Sequence, residues 1–188
     1  MIKKFGKYTL LGVLLIFIMS SCTEEVDFNQ IDDLSLKPVF ASDLIFFNAP
    51  ATKFYVNGSE LETVRDTVVI DLFNRDFVVE NLVKAEFVFE TTNSINRAFS
   101  VKVEFLDASD QLKHSFTVTT PASPSNTDIV STHTEVFENG LLNALKASNK
   151  VVLTIQALSG GSPLTDNTPG RIKLKSKGVF YLKVEKSE

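Results

Sequence analysis

Alternation of apolar and polar residues along several segments is the sequence feature that most constrains the fold of this chain. In FSVKVEF, residues 99–105, every odd-numbered position is apolar and every even-numbered position is polar. The segments LVKAEFVFE (82–90) and VVLTIQA (151–157) follow the same pattern with few exceptions. An α-helix would place residues i and i+2 about 200° apart around its axis, whereas a β-strand places them on one face. The pattern therefore predicts half-buried β-strands.

Further β-prone segments and turn signals extend this architecture along the chain. Asn57-Gly58 suits a two-residue hairpin turn, and PASPSNTD (121–128) is typical of a loop. We predict short helices near 74–80 and 138–148, and further strands at 36–47, 53–57, 66–73, 112–119 and 171–185. About seven to nine strands with one or two short helices predict an all-β domain, an antiparallel β-sandwich that is Ig-like or jelly-roll-like. The chain has 16 phenylalanines, no tryptophan and one cysteine. Phenylalanine is therefore expected to fill the inner faces, in place of the tryptophan and disulfide of antibody domains.

The first 21 residues have the layout of a secretory signal. Lys3, Lys4 and Lys7 precede an apolar run over residues 8–19. A membrane-spanning helix needs roughly 20 apolar residues, so this shorter run matches the core of a signal peptide. With a single cysteine, Cys22, the chain forms no internal disulfide.

The tetrapeptide Met19-Ser20-Ser21-Cys22 ends this leader and resembles the lipobox of bacterial lipoproteins. Ser20, Ser21 and Cys22 match that motif, whereas Met19 stands where leucine is usual. The resemblance implies a diacylglycerol on the Cys22 sulfur, cleavage before Cys22 and acylation of the new amine. Two or more acyl chains anchor a protein stably, since each buried methylene contributes about 0.8 kcal/mol. An ordinary signal peptide with an incidental cysteine, or an uncleaved anchor, is the alternative.

An acidic stretch with Glu24, Glu25 and Asp27 follows Cys22. It resembles the surface-export signal of Bacteroidota-type lipoproteins. The resemblance implies a protein that is lipid-anchored in the outer membrane of a Gram-negative bacterium and faces outward. The stretch also suits a charged tether, because a flexible chain of this length reaches about 20 Å. We predict a signal peptide over 1–21, a lipidated cysteine with an acidic tether over 22–34, and one β-sandwich domain over 35–188.

The remaining sequence offers no catalytic motif. It lacks a Gly-x-Ser-x-Gly elbow, and GSPLTDNTPG (161–170) lacks the lysine and the following helix of a phosphate loop. A glycosidase pair formed by distant carboxylates stays open, without a positive sign in the sequence. We predict no enzymatic activity, no catalytic residues and no cofactor besides the lipid. The formal net charge is −4, and the three leader lysines leave the mature chain more acidic still, which disfavours nucleic-acid binding.

The residues best suited to bind a metal are few and scattered. His114 and His133 are the two histidines, and they could meet across a sheet to bind Zn²⁺ with a carboxylate, although their spacing does not require it. We interpret them as ordinary half-buried histidines. Asp107, Asp110 and Asp166 are too few for the six to eight oxygens of a Ca²⁺ site. The sequence therefore predicts no metal site.

The sharpest surface feature is the cationic stripe RIKLKSK, residues 171–177. Arg171, Lys173, Lys175 and Lys177 alternate with Ile, Leu and Ser, so on a strand the four cations share one face about 6.6 Å apart. This candidate surface could receive an anionic glycan, a lipid headgroup or an acidic partner. The alternative is a solvated outer face balanced by cross-strand acids, or lysines that protect a sheet edge.

Three functions are therefore compared. The first is a non-enzymatic envelope protein, held to the membrane by its lipid and acting in binding, adhesion or support of an envelope complex. Its partner would be another envelope protein or an anionic glycan. The second is a glycan-binding surface module, which the missing tryptophan and scarce tyrosine disfavour and an exposed row of aromatics would favour. The third is a hydrolase, which a contact between either histidine and a carboxylate in a pocket would favour.

Overall fold

Ten β-strands make up most of residues 36–185, the part of the chain that the computed structural model describes, apart from the side chains of residues 71 and 74. The signal peptide, Cys22 and the tether predicted for residues 1–34 lie outside the described residues. The strands are β1 Val39–Pro50, β2 Tyr55–Val56, β3 Ser59–Glu60, β4 Thr63–Val69, β5 Leu82–Asn93, β6 Phe99–Leu106, β7 Leu112–Thr120, β8 Ile129–Phe137, β9 Lys150–Ala157 and β10 Arg171–Leu182. Two short helices accompany them, α1 Asp76–Asn81 and α2 Asn139–Lys146, with 3₁₀ turns at Ala51–Phe54 and Asp71–Asn74. None of the described helices is both long enough and apolar enough to cross a bilayer.

The eight long strands form two four-stranded antiparallel sheets. Sheet I has the order β1-β10-β5-β8 and sheet II the order β4-β9-β6-β7, while β2 and β3 form a separate small hairpin. Numbered along the chain, the eight long strands therefore follow the orders 1-8-3-6 and 2-7-4-5. This is the arrangement of a jelly roll. The predicted antiparallel β-sandwich is confirmed, and of its two alternatives the jelly roll is the correct one.

Phenylalanine rings join the two sheets, as the composition predicts. Phe87 on β5 is fully buried and lies at the centre of this cluster. Its ring centroid is 5.2 Å from that of Phe137, 5.7 Å from that of Phe180 and 5.8 Å from that of Phe105. Aromatic pairs at such distances contribute about 0.5–1.5 kcal/mol each beyond the burial of their area. The inner faces are thus held by many rings in contact without a disulfide.

The strand predictions fail where the alternation is weak. The segment predicted at 66–73 is strand only as β4, Thr63–Val69, and a 3₁₀ turn replaces its second half. Strand β8 is not predicted from the sequence, because Ser131, His133 and Glu135 give its inward face a polar character that resembles its outward face. The two predicted helices are present, slightly shifted, as α1 and α2.

A β-bulge at Leu44 interrupts the first strand. The register of β1 against β10 shifts between Asp43 and Ile45, which leaves Leu44 as the extra residue. Gly178 on β10 makes room for it, since a Cβ atom at Gly178 would lie 2.7 Å from Cδ1 of Leu44. A bulge of this kind reverses the faces to which the following side chains point.

The two ends of the sandwich differ. Both ends of the described chain lie at one end of the sandwich, where Leu36 and Val184 form a β-bridge. Loops close the other end, where the buried Asn93 amide donates to the carbonyls of Arg97 at 2.7 Å and Pro121 at 2.8 Å. There Gly170 passes close to the backbone of Ser94 and adopts φ +96°. The loop end therefore depends on close backbone packing.

Candidate functional site

The outer faces of the two sheets differ in chemistry. The outer face of sheet I carries the exposed Phe46, Val39 and Val130 together with the half-buried Tyr181. The outer face of sheet II presents mainly hydroxyl, amide and charged side chains, which include Thr63, Lys102, Thr117 and Gln156. Exposed apolar side chains that lie apart from one another are common on protein surfaces, so what distinguishes this face is Phe46, the most exposed of the three, together with the cations described below. The outer face of sheet I is therefore the stronger candidate for a binding surface.

The predicted cationic stripe lies on this face. Arg171, Lys173, Lys175 and Lys177 all occupy outward positions of β10. Strand β10 lies between β1 and β5, so the lysines do not protect a sheet edge, and that alternative is wrong. The stripe runs along the middle of the face.

Two of the four cations have acidic partners. The Lys175 ammonium donates to Glu90 on the neighbouring β5 at 2.7 Å. The Lys173 ammonium lies 3.7 Å from a carboxylate oxygen of Asp128. Within residues 36–185 no carboxylate lies within 4.0 Å of the side-chain nitrogens of Arg171 or Lys177. Half of the stripe is thus balanced by acids, and half of it is available to a ligand.

A depression of about 480 Å³ opens beside the stripe. Its lining consists of apolar and charged residues and one serine from three adjacent strands: Asp43, Ile45, Phe46, Val88, Glu90, Lys175, Ser176 and Lys177. Phe46 is 68% exposed. Phe46 lies an even number of residues after Phe40, so a regular strand would point both side chains to the same face. Phe40 points to the core, where it stacks on Phe180 with the ring centroids 4.9 Å apart. The bulge at Leu44 reverses the faces of the side chains that follow it, so it is the bulge that points Phe46 to solvent.

A second depression of about 370 Å³ lies farther along the same face, around Tyr181. The Lys84 ammonium lies 5.3 Å from the centroid of the Tyr181 ring, and the Tyr181 hydroxyl donates to Glu86 at 3.2 Å. The Lys84 ammonium also donates to Glu86 at 2.6 Å. This bond raises the pKa of Lys84 and lowers the pKa of Glu86. Both groups are therefore charged at neutral pH.

The histidines meet at the edge between β7 and β8. Nε2 of His114 lies 2.6 Å from Oε1 of Glu135, and Nε2 of His133 lies 2.8 Å from Oε2 of the same carboxylate. The ring of His133 stacks on Phe116 with the centroids 4.8 Å apart, and the ring of His114 packs edge-on against Phe137 at 5.3 Å. The sequence did not indicate this contact with Glu135. Among the described residues no group of three or more His, Cys, Asp or Glu side chains is arranged to hold a metal ion.

The three aspartates considered for Ca²⁺ have local structural roles. Asp107 accepts from the backbone N–H groups of Ser109 at 2.8 Å and Gln111 at 2.9 Å, and from Lys113 at 2.7 Å. The bond from Lys113 and these backbone bonds lower the pKa of Asp107. Asp110, in the loop between β6 and β7, pairs with Lys150 on β9, and Asp166 accepts from the amide of its neighbour Asn167.

Comparison with known proteins identifies no family. No protein-family model matches the sequence, and no curated protein matches it. Among solved structures, the chain is similar to a candidate secreted protein of Parabacteroides distasonis, with a TM-score of 0.41 and 14% identity over 61% of this chain and 36% of that one. It is also similar to the VP2 subviral particle of infectious bursal disease virus, with a TM-score of 0.39 and 12% identity over 83% of this chain and 39% of that one. A third similar structure, PfGH50B, has a TM-score of 0.37 and 10% identity over 80% of this chain and 23% of that one. Because the TM-scores are 0.41 or less, these similarities carry no argument about function, and the fold assignment rests on the strand order.

Proposed function

We propose that this protein is a non-enzymatic binding protein of the bacterial cell surface, anchored by lipid at Cys22, that binds its partner through the outer face of sheet I. The observation that carries the proposal is that face, which combines solvent-exposed apolar side chains, two cations that have no acidic partner within residues 36–185, and two shallow depressions. A site of this shape suits recognition of a large ligand, because it is open and broad.

Tethering supplies the mechanism. A domain held to a membrane by a short flexible tether has a high effective concentration toward any other component of that membrane or of the layer above it. Weak individual contacts then suffice for stable engagement.

A hydrolase is the second candidate, and the contact of His114 and His133 with Glu135 is the observation that favours it. That contact supplies a carboxylate that orients an imidazole, as acid–base catalysis requires. Catalysis by a nucleophile also requires a hydroxyl or thiol within reach of the ring. In residues 36–185 no hydroxyl or thiol hydrogen-bonds to either histidine, and aromatic rings pack against both. We therefore propose a structural role for this cluster, in which its hydrogen bonds link β7 to β8.

The Cys22→Ser variant tests the anchor. We expect the wild-type protein to partition with the membrane fraction and to incorporate a labelled fatty acid, because acyl chains on Cys22 would hold it there. The variant is expected to lose the label and leave the membrane fraction. The matched control is Ser21→Ala, which keeps a small residue before the cysteine and should keep the label. A Cys22→Ser protein that still incorporates fatty acid would contradict the lipid anchor, and a wild-type protein that external protease cannot reach on intact cells would contradict surface exposure.

A further inference from the structure

We propose that the outer face of sheet I binds a linear acidic polysaccharide that lies along β10 and spans both depressions, an inference that rests on the proposed binding function of this face. Phe46 is the first residue of this face that would contact the ligand. An aromatic ring that a bulge points to solvent, at the rim of a depression, offers a flat apolar surface to the C–H face of a sugar ring. Bulges that point a side chain outward recur at functional sites, which agrees with this role.

Polar groups for the sugar hydroxyls flank Phe46. The register of sheet I places Phe46, Lys175 and Glu90 side by side across three strands. The next row consists of Asp43, Lys177 and Val88. Ammonium groups donate hydrogen bonds and carboxylates accept them, so these two rows offer both kinds of partner that a hydroxyl group uses.

The charge of this face favours an acidic ligand. The chain as a whole has a formal net charge of −4, yet four cations line β10. In the described part of the chain Lys177 and Arg171 have no carboxylate within ion-pair distance, although Lys177 lines the depression beside Phe46. A uronate carboxylate or a sulfate ester next to the stacked sugar would find a cation there.

The distance between the two aromatic residues favours a polymer. From Lys175, which is opposite Phe46, to Tyr181 the strand advances about 20 Å. Two rows lie between them: the row of Lys177, and a row that consists of the small or apolar Ala41 and Val179 with Glu86. A chain of several sugars could cross these rows and reach Tyr181, whereas a single sugar could contact one aromatic residue only.

Other occupants fit this face less well. The cores of protein interfaces are depleted of charged residues, whereas the rows around Phe46 each contain a lysine and an acid. An anionic lipid surface would meet Asp43, Glu86 and Glu90 on the same face, and these carboxylates repel it. A polysaccharide with spaced acidic groups and many hydroxyls suits the alternating charges better.

The test measures binding of the full chain carrying Cys22→Ser to polygalacturonate, hyaluronate and heparin by affinity electrophoresis and calorimetry, with neutral dextran as the comparison. We expect binding to at least one acidic polymer that salt weakens, and none to dextran. Phe46→Ala should weaken binding about tenfold or more, and Lys177→Gln should weaken it and reduce its dependence on salt. The matched controls are Phe77→Ala on α1, a phenylalanine that is 56% exposed and lines neither depression, and Lys102→Gln on sheet II.

Three results would overturn this inference. One is the absence of binding to all three acidic polymers. Another is an equal loss of affinity in the Phe46 and Phe77 variants. The third is binding of vesicles that contain phosphatidylglycerol in place of the polysaccharides, with the same loss in the Phe46 variant. None of these results bears on the fatty-acid labelling of Cys22 or on protease access at the cell surface, so the broader proposal would be judged separately.

Discussion

The Phe87→Ala variant is expected to lose about 3–5 kcal/mol of the free energy of unfolding, a large share of the stability of a typical domain. Phe87 has no exposed surface, and its ring contacts Phe89, Phe105, Phe137 and Phe180. These rings come from both sheets, so its removal leaves a cavity where sheets I and II meet. Neighbouring rings can fill that cavity only in part, because β5 and β6 are held in register by their neighbours on both sides.

Urea unfolding followed by circular dichroism measures this loss, with Phe46→Ala as the matched control. The control removes the same side chain from the same sheet, but from a position that is 68% exposed, so we expect a change within about 0.5 kcal/mol. Equal losses in the two variants would show that Phe87 is not the centre of the core. The control also establishes that a Phe46→Ala protein defective in binding is still folded.

Replacing Gly170 with alanine is expected to destabilise the loop end of the sandwich by several kcal/mol. Two effects add. Gly170 adopts φ +96°, where a side chain costs about 1–3 kcal/mol. A Cβ atom there would also lie 2.3 Å from the carbonyl oxygen of Ser94, and moving this backbone costs about 1–3 kcal/mol more. The movement would disturb the bond in which the Gly170 carbonyl accepts from the N–H of Ala51 at 3.1 Å.

Gly160→Ala separates these two effects. Gly160 adopts φ +95°, almost the same as Gly170, but a Cβ atom there would meet nothing within 4 Å. The control variant therefore carries the conformational cost alone, and the difference between the two unfolding free energies measures the close approach to Ser94. Equal stability of the two variants would show that the close approach of Gly170 to the Ser94 backbone does not contribute to the loss.

The strands could be predicted from the sequence wherever one face is apolar and the other polar. Phe99 to Phe105 satisfies that condition and is a strand with the predicted inward face. In the segment after Leu82, Ala85, Phe87 and Phe89 are buried, whereas Val83, which the same alternation places on their face, is exposed. Strand β8 does not satisfy this condition, because its inward residues include His133 and Glu135, which contact each other, and Glu135 also contacts His114 on the other sheet. Such a contact depends on topology, which local alternation does not encode.

The candidate binding face could be predicted in part only. The outward direction of the lysines follows from the alternation in RIKLKSK. The exposure of Phe46 does not, because IFF offers two adjacent phenylalanines and the alternation alone cannot decide which of them faces the core. The bulge at Leu44 decides it, and the signal for that bulge is a glycine, Gly178, far away in the sequence. The depression beside Phe46 is assembled from three strands and has no local signature.

The position of β10 in sheet I also has a consequence for biogenesis. Strand β10, the last of the described strands, lies between β1 and β5, and among the described strands β1 pairs in its sheet with β10 alone, so that pairing waits until residues 171–182 are available. A nascent chain that has not reached this segment cannot complete sheet I, and a chain that ends before it leaves β1 without its ladder of hydrogen bonds. Pairing over so long a separation in sequence is slow. The surface that carries Phe46 and the lysines is therefore complete only after residues 171–182 have been synthesised.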